Sequence, residues 1–405
     1  MSDLALEPIW TMLICAAGGI YLYVLFRVDE GLRRIGASEP FQQSKKASRG
    51  DASAPFVSVI IPARDEAEHI GGALEDLARQ DYPGERLEVI VIDDRSGDGT
   101  GEIARGYQGR IASLQVLRVD VCPEGVSPKK HALQRGFDSA RGDILITTDG
   151  DCRFHSGWIT SLVERFEPTT GLVTGLTVFD RGRREPFWQR MQQLDYLSHS
   201  FLAAGAIGRG WAFNCNGSNL ALRREAFSDV GGYSRFRQVV TGDDTLLLQR
   251  LKQSGRWKAT FSADPRSLVR SHPEETLGEV LQQRLRWGSG GMSYSKPALL
   301  FALSAFLFFL FSLFSPIFWS AGWVSPAFAI FLVGKIFVES RVMSLGFRVF
   351  RLKPDWQAFV FLELIHIPAV LAFSIGGHLW GFRWKGERFR RTRNVSVVTA
   401  GTVKS

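Results

Sequence analysis

The chain has 405 residues, 45% hydrophobic and 22% charged, with a formal net charge of +8. It is too long for one small domain and too ordinary in composition for a disordered or fibrous protein. The basic excess invites a nucleic-acid partner, yet no motif of a nucleic-acid-binding module occurs. The four cysteines, Cys15, Cys122, Cys152 and Cys215, form no CxxC pair, which points away from both a zinc module and a disulfide framework.

The first element is an uncharged stretch from Trp10 to Phe26, close to the ~20 apolar residues that cross a bilayer. Asp3 and Glu7 precede it without any Lys or Arg, and no clear small-residue cleavage site follows. Residues 1–35 therefore read as a retained membrane anchor rather than a signal peptide. Residues 36–54, rich in Ser, Lys and Gln, read as a linker.

Val57 to Ile61 is a buried-strand pattern closed by Pro62, and Ile70, Ala73, Leu74 and Leu77 follow at helical spacing. Leu87 to Ile92 is a second strand that runs into Asp93 and Asp94, followed by a turn at Ser96 to Thr100 and a short helix from Glu102. Leu114 to Val119 is a third strand, Lys129 to Ala140 a helix, and Asp143 to Thr148 a fourth strand leading to Asp149 and Asp151. Strands alternating with helices predict right-handed βαβ units and a mostly parallel sheet. No GxGxxG follows the first strand and no P-loop occurs, so neither dinucleotide nor P-loop chemistry is indicated.

Further along, helices are expected at Gly157 to Phe166 and Trp188 to Ala206, and a strand at Leu172 to Val178. Asn214 to Arg224 is rich in Asn and Gly and then apolar. Thr241 to Leu251 reads as a capped helix opened by Asp243 and Asp244. Leu277 to Trp287 is basic and amphipathic. Spans are expected near 298–320 and 323–343. Trp356 to Trp380 carries only Glu363, His366 and His378, and the histidines fit helix packing as well as a functional role. This last segment either spans or re-enters, since Pro368 and Gly376-Gly377 permit a break. The division is then an anchor, a linker, an aqueous domain at 55–290, membrane segments at 291–382 and a basic tail at 383–405.

Basic residues cluster beside the apolar segments: Arg27, Arg33, Arg34, Lys45, Lys46 and Arg49, then Arg348, Arg351 and Lys353, then Arg383, Lys385, Arg388, Arg390, Arg391 and Arg393. The positive-inside rule explains this pattern better than nucleic acid does. It places a multi-pass protein in the cell (inner) membrane with its aqueous domain in the cytoplasm. A crossing at Trp356 to Trp380 would put the basic tail on the wrong side.

Ligands of an open α/β sheet bind beyond the carboxyl ends of its strands. Asp149 and Asp151 sit at such an end, and two adjacent carboxylates repel unless a cation lies between them. Hard oxygen ligands suit Mg²⁺ or Mn²⁺, which usually also hold substrate phosphates. Each cluster has a plainer reading when taken alone. Asp149-Gly150-Asp151 and Asp93-Asp94 could open turns, Asp243-Asp244 could cap a helix, and Gln283 to Trp287 could be an interfacial helix.

Together these motifs resemble the membrane-bound family 2 glycosyltransferases, the group of cellulose synthase, hyaluronan synthase and ceramide glucosyltransferase. The resemblance covers about residues 55–290. It rests on VSVIIPARDE (Val57 to Glu66), VIDDRSGDGT (Val91 to Thr100), KKHAL (Lys129 to Leu133), TTDGDC, NGSNLALRR (Asn216 to Arg224), TGDD (Thr241 to Asp244) and QRLRW (Gln283 to Trp287), in the family's order. Two positions depart from it: Asp65 stands where the family often has Asn, and Asp243 shortens the first acid of a Glu-Asp pair.

The resemblance implies a GT-A-type α/β domain, a mostly parallel sheet flanked by helices, joined to transmembrane helices. It implies a UDP-sugar donor, a divalent cation (Mg²⁺ or Mn²⁺) and an inverting transfer of a hexose, glucose being commonest. Asp151 would be the direct metal ligand, with Asp149 facing the ribose and the metal-bound water. Asp93 or Asp94 would accept from the uracil N–H, and Pro62, Ala63, Arg64 and Glu66 would line the donor. Lys129 or Lys130 and Arg286 would bring positive charge to the phosphates. Asp244 would be the general base, and Asp243, Gln283, Arg286 and Trp287 would serve acceptor and diphosphate. So few spans favour a single transfer to a membrane lipid of glycolipid or carotenoid/isoprenoid type. The alternatives are a processive polysaccharide synthase and a non-catalytic membrane scaffold.

Overall fold

A computed structural model describes residues 6–38, 53–180, 185–290, 293–322, 324–326 and 328–389. Most of the expected linker and of the basic tail lies outside the described residues. The first four strands, β1 (Val57–Ala63), β2 (Leu87–Asp94), β3 (Leu114–Val119) and β4 (Ile144–Thr147), all run parallel. Beyond β4 come β8 (Leu220–Arg223), β6 (Thr170–Gly175) and β9 (Lys258–Ser262), giving the order β3-β2-β1-β4-β8-β6-β9. Only β8 is antiparallel to its neighbours. The expected mostly parallel sheet is thus present.

Both faces of the sheet are covered, which is why its central strands read as continuous apolar runs. Ile60, Ile90, Ile92 and Leu145 pack on one side with α4 (Pro128–Ser139) and α6 (Phe187–Gly208). Val59, Ile61, Val91 and Ile146 face the other side, against α2 (Ile70–Ala78) and α5 (Trp158–Val163). The stretch expected as one strand at Leu172 to Val178 is two. After Gly175 the chain leaves the large sheet, and β7 (Thr177–Phe179) joins a small sheet with β5 (Arg153–Phe154) and β10 (Val269–Ser271). Asn219 holds this corner, its side-chain nitrogen donating to the Leu176 and Ser267 carbonyls at 3.0 and 2.8 Å. The rest of the α/β domain is α3 (Thr100–Arg105), α7 (Arg224–Asp229), α8 (Asp243–Gln253) and α9 (Leu277–Ser289).

Helices α1 (Leu6–Ala37) and α11 (Phe328–Val349) run in the same direction. Tyr21 pairs with Glu339 and Asp29 with Arg341. Helix α10 (Lys296–Ser320) runs the opposite way, with Trp10 stacked on Phe318 and Tyr21 on Phe301. Helix α1 is seated on α6 through glycines. A Cβ at Gly31 would lie 1.8 Å from the Gly205 carbonyl oxygen, a contact no side chain tolerates.

The last apolar helix, α12 (Trp356–Leu379), is continuous despite Pro368. Both of its ends are held by the α/β domain. At its start Asp355 accepts two bonds from Arg190 of α6, at 2.8 and 2.7 Å. At its end Gly377 lies against α9, where a Cβ would come within 2.4 Å of the Leu285 oxygen. A hairpin then follows, β11 (Phe382–Trp384) and β12 (Glu387–Phe389), and turns back to the open end of the large sheet. Among the described residues three helical stretches, 10–37, 296–320 and 356–379, are long and apolar enough to cross a membrane. Helix α11, expected as a span at 323–343, carries Lys335, Glu339 and Arg341 in its middle.

Candidate active site

The carboxyl ends of β1, β2 and β4 meet α8 and α9 at one cavity of about 1450 Å³, lined by Pro62, Ala63, Arg64, Glu66, Asp94, Lys129, Asp149 and Asp151. The far wall carries Asp243, Asp244, Gln283, Arg286 and Trp287. Residues far apart in sequence thus share one space because parallel strands all end on the same side.

The strand-end acids are already partly engaged. Asp149 Oδ1 accepts from Lys129 Nζ at 2.7 Å. Asp151 Oδ2 accepts from Ser271 Oγ at 2.5 Å and from the His272 N–H at 3.4 Å. Among the described residues no donor reaches Asp149 Oδ2. Asp151 Oδ1 meets only the weak Cys152 thiol donor, at 3.6 Å, so the two carboxylates, beside the His272 ring on the same cavity wall, form a hard donor set that fits Mg²⁺ or Mn²⁺.

Asp94 and Asp93 divide the work that sequence left open between them. Asp93 is fully buried and satisfied, accepting from the Ser96 N–H at 3.1 Å and pairing with Arg118 at 2.9 Å. Asp94 is the one on the cavity wall, paired with Arg95 at 2.9 Å. Asp65 sits at φ +53° and accepts from the Gly97 N–H at 3.0 Å. Asn and Asp are the non-glycine residues that best tolerate this region, so the departure from Asn preserves the turn.

Lys130 requires a correction. It was expected as an alternative phosphate ligand, but α4 turns it the opposite way from Lys129. Its ammonium is buried and donates to the Val239 and Thr241 carbonyls. It fixes the loop before α8 rather than facing the cavity. Successive helix residues point about 100° apart, so only one lysine of the pair can face the strand ends.

Asp244 opens α8. Its Oδ2 accepts from the Gly217 N–H at 2.8 Å and its Oδ1 from the Thr245 N–H at 2.6 Å. Burial and the adjacent Asp243 push its carboxyl up to about 6, against the lowering effect of those bonds. Asp243 moves in the other direction. Burial would raise it, but Lys129 and Lys130 hold it below its usual range. A pair pushed apart this way divides into one permanent anion and one group able to exchange a proton near neutrality. Of the expected Asn216 to Arg224 loop, only the first residues reach the cavity. Leu220 to Arg223 lies inside the sheet as β8.

On α9, Gln283 donates to Glu274 Oε1 at 2.6 Å and accepts from Arg284 at 2.7 Å. Arg284 pairs with Asp195 at 2.6 Å and stacks 4.3 Å over the Trp287 ring. Tyr196 and His199 complete the frame of Trp287, with ring centroids at 6.0 and 5.7 Å. Arg286 faces Asp243, Glu274 and Asp149, with burial pulling its guanidinium below its usual value.

Sequence reading missed the C-terminal hairpin. Glu387 pairs with both Arg64 (2.7 Å) and Arg95 (3.1 Å), and Lys385 with Glu66 (2.8 Å). Trp384 lies 5.6 Å from the Arg286 guanidinium. The only sequence signal was Trp384-Lys385-Gly386-Glu387, a turn flanked by opposite charges within what read as a lipid-binding basic tail. Burial pushes the Glu66 carboxyl up to about 6, with Lys385 opposing the rise.

The glycosyl transferase family 2 model matches residues 58–231. Glycosyltransferase AglE of Haloferax volcanii is 30% identical over 243 residues, 58% of this chain and 73% of that protein. The chain belongs to glycosyl transferase family 2. A beta-monoglucosyldiacylglycerol synthase of Synechocystis is 26% identical over 360 residues, 83% of this chain and 71% of that one. A solved mannosyltransferase from Pyrobaculum calidifontis, in complex with GDP-Man and Mn²⁺, superposes with a TM-score of 0.55 at 19% identity, covering 93% of this chain and 99% of that one. The fold is therefore the GT-A fold, and the protein is a family 2 hexosyltransferase associated with membranes.

Proposed function

We propose that the protein moves a hexose, glucose in the first instance, from a UDP-sugar to a hydroxyl of a membrane lipid, with inversion at the anomeric carbon. One observation carries this reading. Asp149 and Asp151, Asp244 and Trp287 line a single cavity that continues between the membrane helices to Phe301, Phe309 and Glu363. The glycolipid synthase among its relatives supports a lipid acceptor.

In this reading Asp94 accepts from the uracil and Pro62, Ala63 and Arg64 line the base. Lys129 and Arg286 bring donors to the diphosphate oxygens. Asp149 and Asp151 would hold Mg²⁺ or Mn²⁺, which when bound supplies charge that stabilises the departing diphosphate. A lipid hydroxyl is a weak nucleophile, so Asp244 takes its proton as it attacks C1 from the face opposite the leaving group. Trp287, held flat by Arg284, offers an amphipathic surface to the acceptor headgroup.

The membrane layout follows from α12. It is unbroken and its two ends rest on the same domain, so we propose that it lies along the cytoplasmic face of the bilayer without carrying the chain across. Helices α1, α10 and α11 then make three crossings, and the basic residues from Arg383 onward stay on the cytoplasmic side, as the charge rule requires. The test of function is lipid extraction from a host with and without the gene. A hexose-sized mass increase on one lipid class is expected. Long polymer instead would favour a processive synthase, and no change in lipid or polymer would sink the transfer reading.

A further inference from the structure

The cavity does not end at Trp287. At ~300–1,000 Å³ a pocket already encloses a drug-sized ligand, and this one is larger because it runs on between α6, α10, α11 and α12. At its membrane end Lys335 Nζ donates to Glu339 Oε2 (2.9 Å) and Glu363 Oε2 (2.7 Å) and lies 3.2 Å from His366 Nδ1. Tyr21 donates to Glu339 Oε1 at 2.5 Å. Two carboxylates thus share one ammonium among apolar helices. Ionisable groups between apolar helices are costly and motivate a search for a function.

A metal is not the natural occupant. Ligand atoms of Glu339, Glu363 and His366 lie within 4.8 Å of one another, but the Lys335 ammonium already stands among them. The exposure of the four side chains differs in a useful way. Lys335 is 2% exposed, whereas Glu339, Glu363 and His366 are 11%, 13% and 24% exposed and line the cavity. The lysine holds them from behind.

A second observation is independent of this cluster. Gln192, on α6, is 3% exposed and lines the same cavity, yet neither its amide nitrogen nor its oxygen has a hydrogen-bond partner among the described residues. An unpaired buried amide is unfavourable. Gln192 lies three residues, about one helical turn, from Asp195. Burial would raise the Asp195 carboxyl, but Arg284, His199 and His366 hold it below its usual range. Helix α6 lies beside the start of α12, with Arg190 paired to Asp355 at 2.7 Å and the Phe187 and Phe361 rings 5.1 Å apart. Gln192 and Glu363 therefore stand on neighbouring helices along one cavity, and Asp195 also holds Arg284. A buried amide offers one donor and one acceptor face, and a hydroxyl satisfies both.

We propose that Gln192, Glu363 and His366 form a second acceptor subsite, binding a hydroxyl on the apolar body of the lipid while Asp244 engages the hydroxyl that is glycosylated. The substrate class is therefore a lipid with two hydroxyls set apart by apolar chain. The scale of the separation follows from α12. Phe373 touches Gly288, beside Trp287 on the acceptor wall, and Glu363 lies ten residues earlier, so the subsite is on the order of 15 Å from that wall along the helix. This inference rests on the lipid-transfer reading above.

The test uses the full-length protein in detergent, with long-chain diols of graded spacing and the matching mono-alcohols as probes. The wild type is expected to prefer a diol of about 15 Å spacing by tenfold or more in kcat/KM, roughly one hydrogen bond to a charged group. In Gln192→Met and Glu363→Gln that preference should fall towards one, while donor hydrolysis without acceptor stays unchanged. Glu363→Gln leaves Lys335 paired with Glu339, so folding is preserved. Binding is read separately, without donor, as the rise in melting temperature that the diol gives over the mono-alcohol. Equal use of diol and mono-alcohol by the wild type would overturn the proposal, as would variants that slow both acceptors equally. Transfer to neither alcohol, with the diol still raising the melting temperature, would sink the transfer reading and leave the subsite standing.

Discussion

Lys129 and Asp149 form an ion pair of 2.7 Å, and the same ammonium lies 3.8 Å from Asp243. One side chain from α4 therefore connects the acid at the end of β4 with the acid at the start of α8. Burial opposes its charge, but Asp149 and Asp243 keep it protonated. Replacement by Met should lower kcat/KM for the donor roughly 10- to 100-fold, the equivalent of one or two charged hydrogen bonds. Steady-state kinetics with varied UDP-sugar would show it. An unchanged value would mean that Lys129 serves only to balance charge in the free protein.

Lys130→Met should behave differently. It leaves the Thr241 carbonyl unpaired in a buried setting and the Val239 carbonyl in a half-buried one, at about 1–3 kcal/mol for the buried one. A melting temperature several degrees lower, with a nearly unchanged KM for the donor, is the expected pair of results. The reverse pair would return Lys130 to the phosphate site.

The pH profile should carry the mark of Asp244. Its carboxyl is raised to about 6, and only the ionised form can accept a proton. Activity should therefore be lost as pH falls through about 6 and be full above it. Glu66 titrates in the same region, and burial is the main cause, with Lys385 opposing it. Lys385→Met should move that group upward and shift part of the acid limb to higher pH. A profile flat down to pH 4.5 in wild type would contradict both assignments.

The hairpin pairings test a role for the C-terminal strands in donor binding. Glu387→Gln frees Arg64 and Arg95 from their shared partner. Partly exposed ion pairs stabilise little, ~0–1 kcal/mol each, so the melting temperature should barely move. The KM for UDP-sugar should rise severalfold. A large fall in stability at constant KM would make the hairpin a structural brace.

Much of this site was legible because strand ends announce themselves. Asp94, Asp149 and Asp151 each follow an apolar run too short to be anything but a buried strand, and parallel strands bring such ends together. Asp244 was readable as the acid of a capped helix. What could not be read was direction. Lys129 and Lys130 are equivalent in sequence, and only the packing of α4 on β1 and β2 decides which one faces the acids. Asp93 looked as exposed as Asp94, yet Arg118 on β3 claims it. The break between β6 and β7 depends on Asn219, forty-odd residues away, which no local pattern reveals. The hairpin was hidden for a related reason. Its charges suit a lipid surface equally well, and only the return of α12 to the α/β domain brings them to Glu66 and Arg64.

The central claim is that Asp244 is the base that activates a lipid hydroxyl. Asp244→Asn preserves size and one acceptor oxygen for the Gly217 N–H but cannot take a proton. Transfer of labelled hexose to lipid extract, measured alongside binding of UDP by calorimetry, tests it directly. The expected result is UDP affinity within about twofold of wild type and a rate 10²- to 10⁴-fold lower, the usual contribution of a general base. Transfer at the wild-type rate in that variant would contradict the account.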